Sequence, residues 1–235
     1  MNKLWKTLAD KWVEYLLEIL VITLGVVGAF VLNSWNEGVK FRREQQEIIR
    51  NLNEEFKTNL ESLDEQMFRL NRKINASILI YELIDPAKAI PDTIDLDTLA
   101  RRLYDNPTWN PSTYVLTDLR NSGQLKSLEN EQLKRLLHEW EQHYENLREW
   151  YLLETAQYNK FMSVISEYGS ARNMLFKSRF GSSPFALTNQ EMIQSAVFEN
   201  HLSHNLMISG GLQNIYETQT VQLINRIIEE TELTD

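Results

Sequence analysis

The chain has 235 residues, 43% apolar and 24% charged, a globular composition that excludes collagen-like, low-complexity and wholly disordered readings. Its length allows one compact domain, or one domain with an appendage. The absence of Cys removes disulfides, thiolate catalysis and thiolate zinc sites, and a net charge of -9 argues against an extended nucleic-acid surface. Five Pro and eight Gly leave few turns, which disfavours a many-stranded sheet and favours long helices.

The first predicted element is a membrane helix. Residues 19–35 read ILVITLGVVGAFVLNSW, seventeen residues without a formal charge, and Leu16 and Leu17 extend the run past a single Glu18. At about 1.5 Å per residue, roughly twenty residues cross the hydrocarbon layer. Trp12, Tyr15 and Trp35 stand where amphipathic rings favour the headgroup level. A cleaved signal peptide would have a shorter apolar stretch and a small-residue cleavage site, whereas Asn33-Ser34-Trp35-Asn36-Glu37 follows here. A buried helix of a soluble protein is the other rival. The expected division is a tail and membrane helix over residues 1–37 and a soluble helical domain over 38–235.

Helical geometry sorts this segment by face. At about 100° per residue, Glu14, Glu18, Gly25, Ala29 and Asn36 fall in a narrow stripe with Asn33 at its margin, while Leu20, Val27, Phe30 and Val31 face away. Gly25 and Ala29 form a small-xxx-small pair, the spacing that lets two membrane helices approach closely, and Glu18 on the same stripe should avoid lipid. Self-association is the expectation. The rival readings are a packed dimer or a Glu18 that snorkels near the interface, and a ring whose Glu14 and Glu18 carboxylates face a cation-selecting pore. Lys3, Lys6 and Lys11 before the span nearly balance Lys40, Arg42, Arg43 and Arg50 after it, and the slightly more basic C-terminal flank favours a cytoplasmic domain.

Beyond the span, an apolar stripe from Phe41 through Ile48, Leu52, Phe56, Leu63, Leu70, Ile74 and Ile78 to Tyr81 predicts a helix of some forty residues, closed at Asp85-Pro86. A short helical pattern over 95–105 lies between proline breaks. A helix over 112–122 is capped by Gly123, and a second long helix runs over 130–168 to Gly169. Thr188-Asn189-Gln190-Glu191 is a capping box that restarts a helix. Leu202 through Ile228 supplies the last pattern, interrupted at Gly210-Gly211, a candidate hinge. No strand is expected. Helices this long need packing partners, so the predicted fold is all-α: a membrane helix followed by an oligomeric long-helix bundle.

Residues 169–187 carry basic side chains and no acidic ones. Arg172, Lys177 and Arg179 alternate with Phe176, Phe180 and Phe185, a pattern that suits phosphate or a base stacked on a ring. A nucleotide or oligonucleotide is therefore a candidate ligand. The favoured alternative has the phenylalanines plugging the bundle and the cations lying on acidic helices or lipid headgroups, because three cations give weak nucleic-acid affinity. His138 and His143 are five apart, so their imidazoles diverge by about 140° around a helix, and zinc is not expected there. His201 and His204 are spaced to share a metal, but lack a clear third ligand. Glu54 and Glu55 read as solvated face. Without a phosphate loop, a Gly-x-Ser-x-Gly elbow or a connectable Ser, His and Asp set, neither enzymatic activity nor a cofactor is expected.

Glu18-Ile19, Gly25 seven residues after Glu18, and Asn33-Ser34-Trp35-Asn36-Glu37 eight residues after that Gly resemble the N-terminal signature of an uncharacterised bacterial family of single-pass membrane proteins. The likeness continues through residues 44–59, Ser112-Thr113-Tyr114 with Leu119 and Ser122-Gly123, and Leu223-Ile224-Asn225-Arg226-Ile227-Ile228. It departs from the usual pattern at Phe30, Ser34 and Gly38. This resemblance implies topology, helical content and an inner-membrane location more than activity. In layout the chain also resembles membrane effectors of small bacterial antiviral operons, in which an N-terminal helix oligomerises and a helical domain senses a signal. The functional expectation is a homo-oligomeric, ligand-gated pore in the lipid bilayer; a passive membrane-tethered scaffold and an unrecognised hydrolase are the alternatives.

Overall fold

The structure is a computed structural model that describes the backbone of residues 2–232 and the side chains of residues 12–232. The flanking lysines Lys3, Lys6 and Lys11 lie outside the described side chains. Among the described residues all regular structure is helical. The membrane segment and the forty-residue helix expected after it are one helix, α1 (Asn2–Glu82). No proline precedes Pro86, so nothing removes a donor from its i→i-4 ladder. The chain divides into two compact units, Met1–Arg50 and Asn51–Asp235.

In the second unit the rest of α1 is followed by α2 (Leu96–Arg101), a 3-10 turn (Arg102–Tyr104), α3 (Tyr114–Ser122) and α4 (Gln124–Ser127). The long α5 (Glu131–Tyr168) comes next, then the short α6 (Ala171–Leu175), α7 (Lys177–Phe180) and α8 (Asn189–Ile193). The chain closes with α9 (Ala196–Ile215), a π-helical turn (Tyr216–Thr220) and α10 (Val221–Thr231). The boundaries follow capping chemistry. The side chains of Asp95, Asn130, Ser170, Thr188 and Ser195 each accept a backbone N–H two or three residues inside the helix they start. Gly123 ends α3 with φ +79°, a left-handed conformation that glycine adopts without steric cost.

Two packed regions hold the unit. One is aromatic: Trp140 meets Phe56 edge-on at 5.2 Å and Trp109 at 5.9 Å, and Trp109 meets Tyr216 at 6.1 Å. The other gathers Ile80, Leu103, Phe161, Ile165, Met192, Phe198 and Leu202, all fully or nearly fully buried. Each such side chain contributes about 1.5–3 kcal/mol through burial. α5 and α9 pack against each other, with Phe161 and Phe198 at 5.4 Å.

Two expectations need correction. The stripe on α1 does not stay apolar: Ile78 and Tyr81 are exposed, while Lys73, Ser77 and Ile80 occupy the buried line. Counting only apolar residues followed the wrong edge of the face. Nor do Gly210 and Gly211 interrupt a helix, because α9 runs through both and the irregular turn comes at Tyr216–Thr220. A Cβ at Gly211 would stand 2.9 Å from the Trp150 ring, so that glycine serves close approach of α9 to α5.

Candidate functional site

On the membrane segment, Glu14, Glu18, Gly25, Ala29, Asn33 and Asn36 are all exposed within the single chain. So are Ile19, Val21, Leu24, Val26, Phe30 and Leu32, between 63% and 72%. The segment is long and apolar enough to cross a membrane, and none of its most apolar window is buried by the chain itself. It is therefore no core helix of the protomer. A Cβ on Gly25 would meet nothing within 4 Å, leaving a notch one turn from Ala29. Asn33 Nδ2 donates to Glu37 Oε1 at 2.8 Å, tying the polar end of the run into its own helix.

The basic and aromatic segment folds as two short helical turns. Arg172 Nε donates to the Gly181 carbonyl at 3.1 Å, and its Nη2 donates to the Phe180 carbonyl. Lys177 Nζ donates to Asp97 at 2.8 Å, and this hydrogen bond holds the ammonium above its ordinary pKa. Arg179 lies 5.1 Å from the centre of the Phe180 ring, which stands 6.2 Å from Phe176. The sequence-predicted residues are thus brought together. Two of the three cations, however, are already engaged, Arg172 with carbonyls of its own loop and Lys177 with Asp97 on α2, so an anionic ligand must compete with those bonds. The expectation that the phenylalanines plug the bundle is not met: Phe176 and Phe180 are 50% and 56% exposed, and Met174 faces inward instead. Asn189 ties the start of α6 to α2: its Oδ1 accepts from the Ser170 N–H at 2.6 Å, and its Nδ2 donates to the Ser170 carbonyl at 3.3 Å and to Asp97 at 2.7 Å.

Sequence reasoning missed the polar centre of the unit. Lys73 Nζ lies 3.0 Å from Glu154 Oε1 and 3.2 Å from Asn106 Oδ1, with side-chain exposures of 0% for Lys73 and 1% for Glu154. Burial pulls the ammonium below its ordinary pKa, and the Glu154 charge opposes that pull. Glu55, expected on the solvated face, is also buried: its Oε1 accepts from Ser112 Oγ at 2.5 Å and from the Val115 N–H at 3.1 Å. It thereby caps the start of α3, alongside Asn59, which both accepts from and donates to the Ser112 backbone. Hydrophobic periodicity carries no signal for either group. The only available cue is that Lys73 and Glu55 sit within apolar lines.

At the π turn, Thr220 Oγ1 is 2.8 Å from His143 Nε2, and Tyr216 shares a 2.7 Å hydroxyl bond with Tyr151. Burial lowers the His143 pKa and raises those of both phenols. His138 is exposed beside Gln142, so the two histidines do diverge. Among the described residues no three His, Asp or Glu side chains gather as a metal set. Grooves of about 500 and 550 Å³ flank the unit, one lined by Leu79, Leu83, Ile94 and Leu99, the other by Trp109, Asn110, Tyr144, Arg148 and Tyr151.

No curated protein and no solved structure matches the chain. A model for a family of unknown function (DUF6090) matches residues 18–206, from the start of the apolar run into α9, and the chain belongs to that family.

Proposed function

We propose that the protein is a membrane-anchored homo-oligomer whose helical unit sets the packing of its single membrane helices, gating a cation-selecting pore in a bacterial inner membrane. The helical unit lies on the cytoplasmic side. The supporting observation is an exposed apolar surface over residues 12–35, far larger than a soluble monomer leaves open, which lipid and copies of the same helix would cover. Glu14, Glu18, Gly25 and Ala29 share one face of that helix, which suits close packing with the carboxylates turned from lipid. α1 carries no proline. The resemblance of its layout to membrane effectors of antiviral operons supports a role in bacterial defence.

The test is a planar-bilayer recording of the purified full chain, alone and then with ATP or a short oligonucleotide. Cation current that weakens in Glu18→Gln supports the reading, and silence under every condition refutes it. A scaffold reading draws support from Leu152 and Leu153 on α5, which are 72% and 57% exposed and suit a docked partner. It predicts membrane attachment without current.

A further inference from the structure

The packing of α5 on α9 places five buried polar atoms without hydrogen-bond partners along one seam. They are Glu154 Oε2 and Gln157 Nε2 on α5, and His201 Nδ1, Asn205 Oδ1 and Ser209 Oγ on α9. The register is fixed at both ends of the contact. Gly211 lies against Trp150, and Phe198 against Phe161, so the helices run antiparallel and residues 154–157 stand opposite the middle of the 201–209 stretch. Residues 201, 205 and 209 follow a four-residue step and line one face. Glu154, Asn205 and Ser209 are each about 1% exposed. Buried polar groups in native proteins are almost always hydrogen-bonded, and an orphan costs about 1–3 kcal/mol. Five along about two turns of one helix contact point to something that bonds them.

We propose that the α5/α9 seam binds ordered water, which bridges Glu154 Oε2 to the polar face of α9. The chemistry selects the occupant. Acceptors (Glu154 Oε2, Asn205 Oδ1) and donors (Gln157 Nε2, Ser209 Oγ–H) alternate across the contact, and water supplies both roles, making about three bonds per molecule in such sites. A cation is disfavoured because Lys73 already balances Glu154 at 3.0 Å, so a further ion would leave a net buried charge. The bound water also completes the ion pair. One carboxylate oxygen receives the ammonium and the other receives water. This inference concerns the helical unit alone and stands apart from the pore reading.

The test uses the full chain in detergent. A density map at a resolution that shows ordered water should have a peak within hydrogen-bond distance of Glu154 Oε2 and of Asn205 or Ser209. A seam in which these atoms bond one another directly, with no peak, overturns the proposal. Thermal unfolding of two variants gives an independent readout. Asn205→Ser keeps a polar wall and makes room for one more water, so its melting temperature should stay within about 2 °C of wild type. Asn205→Leu expels water and strands Glu154 Oε2, and its melting temperature should fall by about 4 °C or more. The reverse order, with the leucine variant more stable than the serine variant, is the outcome of a dry seam and contradicts the proposal.

Discussion

The Lys73–Glu154 pair gives the sharpest test of how the helical unit is held together. Glu154→Leu leaves a fully buried ammonium with only the Asn106 amide oxygen at 3.2 Å, and Lys73→Met leaves a buried carboxylate without its counter-charge. Removing one partner of a buried pair costs about 3–5 kcal/mol, because the survivor stays desolvated. For a unit of this size that corresponds to a fall in melting temperature of roughly 6–20 °C. Replacing both, as Lys73→Met with Glu154→Leu, removes the stranded charge, and the double variant should lie within about 1 kcal/mol of wild type or above it. Circular dichroism melts of the four proteins in the same detergent close the cycle. Single variants that melt with wild type, or a double variant that loses the sum of the two, would refute the reasoning.

The remaining predictions concern the helix contacts and the π turn. Gly211→Val drives a branched side chain into the Trp150 ring and should cost about 1–3 kcal/mol, whereas Gly210→Ala meets nothing within 4 Å and should be neutral or gain up to about 1 kcal/mol from helix propensity. Equal effects in chemical denaturation would contradict the close-approach role of Gly211. His143 is held below its ordinary pKa of 6.5 by burial, so its contribution is complete above that value and is lost as pH falls through the lower folded pKa. Melts at about pH 7.5 and 5 should therefore lie closer together in His143→Gln than in wild type, and an equal or wider gap in the variant would contradict this role of the ring. Gly25→Leu fills the open notch on the membrane segment and should shift the detergent-solubilised protein toward monomer in light scattering, while Leu20→Ile on the other face leaves its mass unchanged.

Much of this fold is legible in residues that carry local chemistry. Asn130 and Gly169 bound α5, Gly123 ends α3, and Thr188 starts α8 at the positions that capping rules indicate. The apolar run is legible because seventeen uncharged residues admit few structural solutions. What escapes a linear reading is decided by tertiary contact. Lys73 is a polar residue on a buried line, and only its meeting with Glu154, eighty-one positions away, makes that placement tolerable. Gly211 reads as a helix break until Trp150 is seen against it. In the candidate ligand segment, Phe176, Arg179 and Phe180 lie side by side. The pairing of the other two cations was hidden: Arg172 turns to the carbonyls of its own loop, and Lys177 to Asp97 from a distant turn.

The central claim is that the N-terminal segment lives in lipid and packs against copies of itself. The native mass of the full chain in detergent micelles, corrected for bound detergent, tests it most directly. The account predicts an integer multiple of the protomer mass that collapses toward one protomer in Gly25→Leu. A wild-type protein that is monomeric across detergents and concentrations would contradict it.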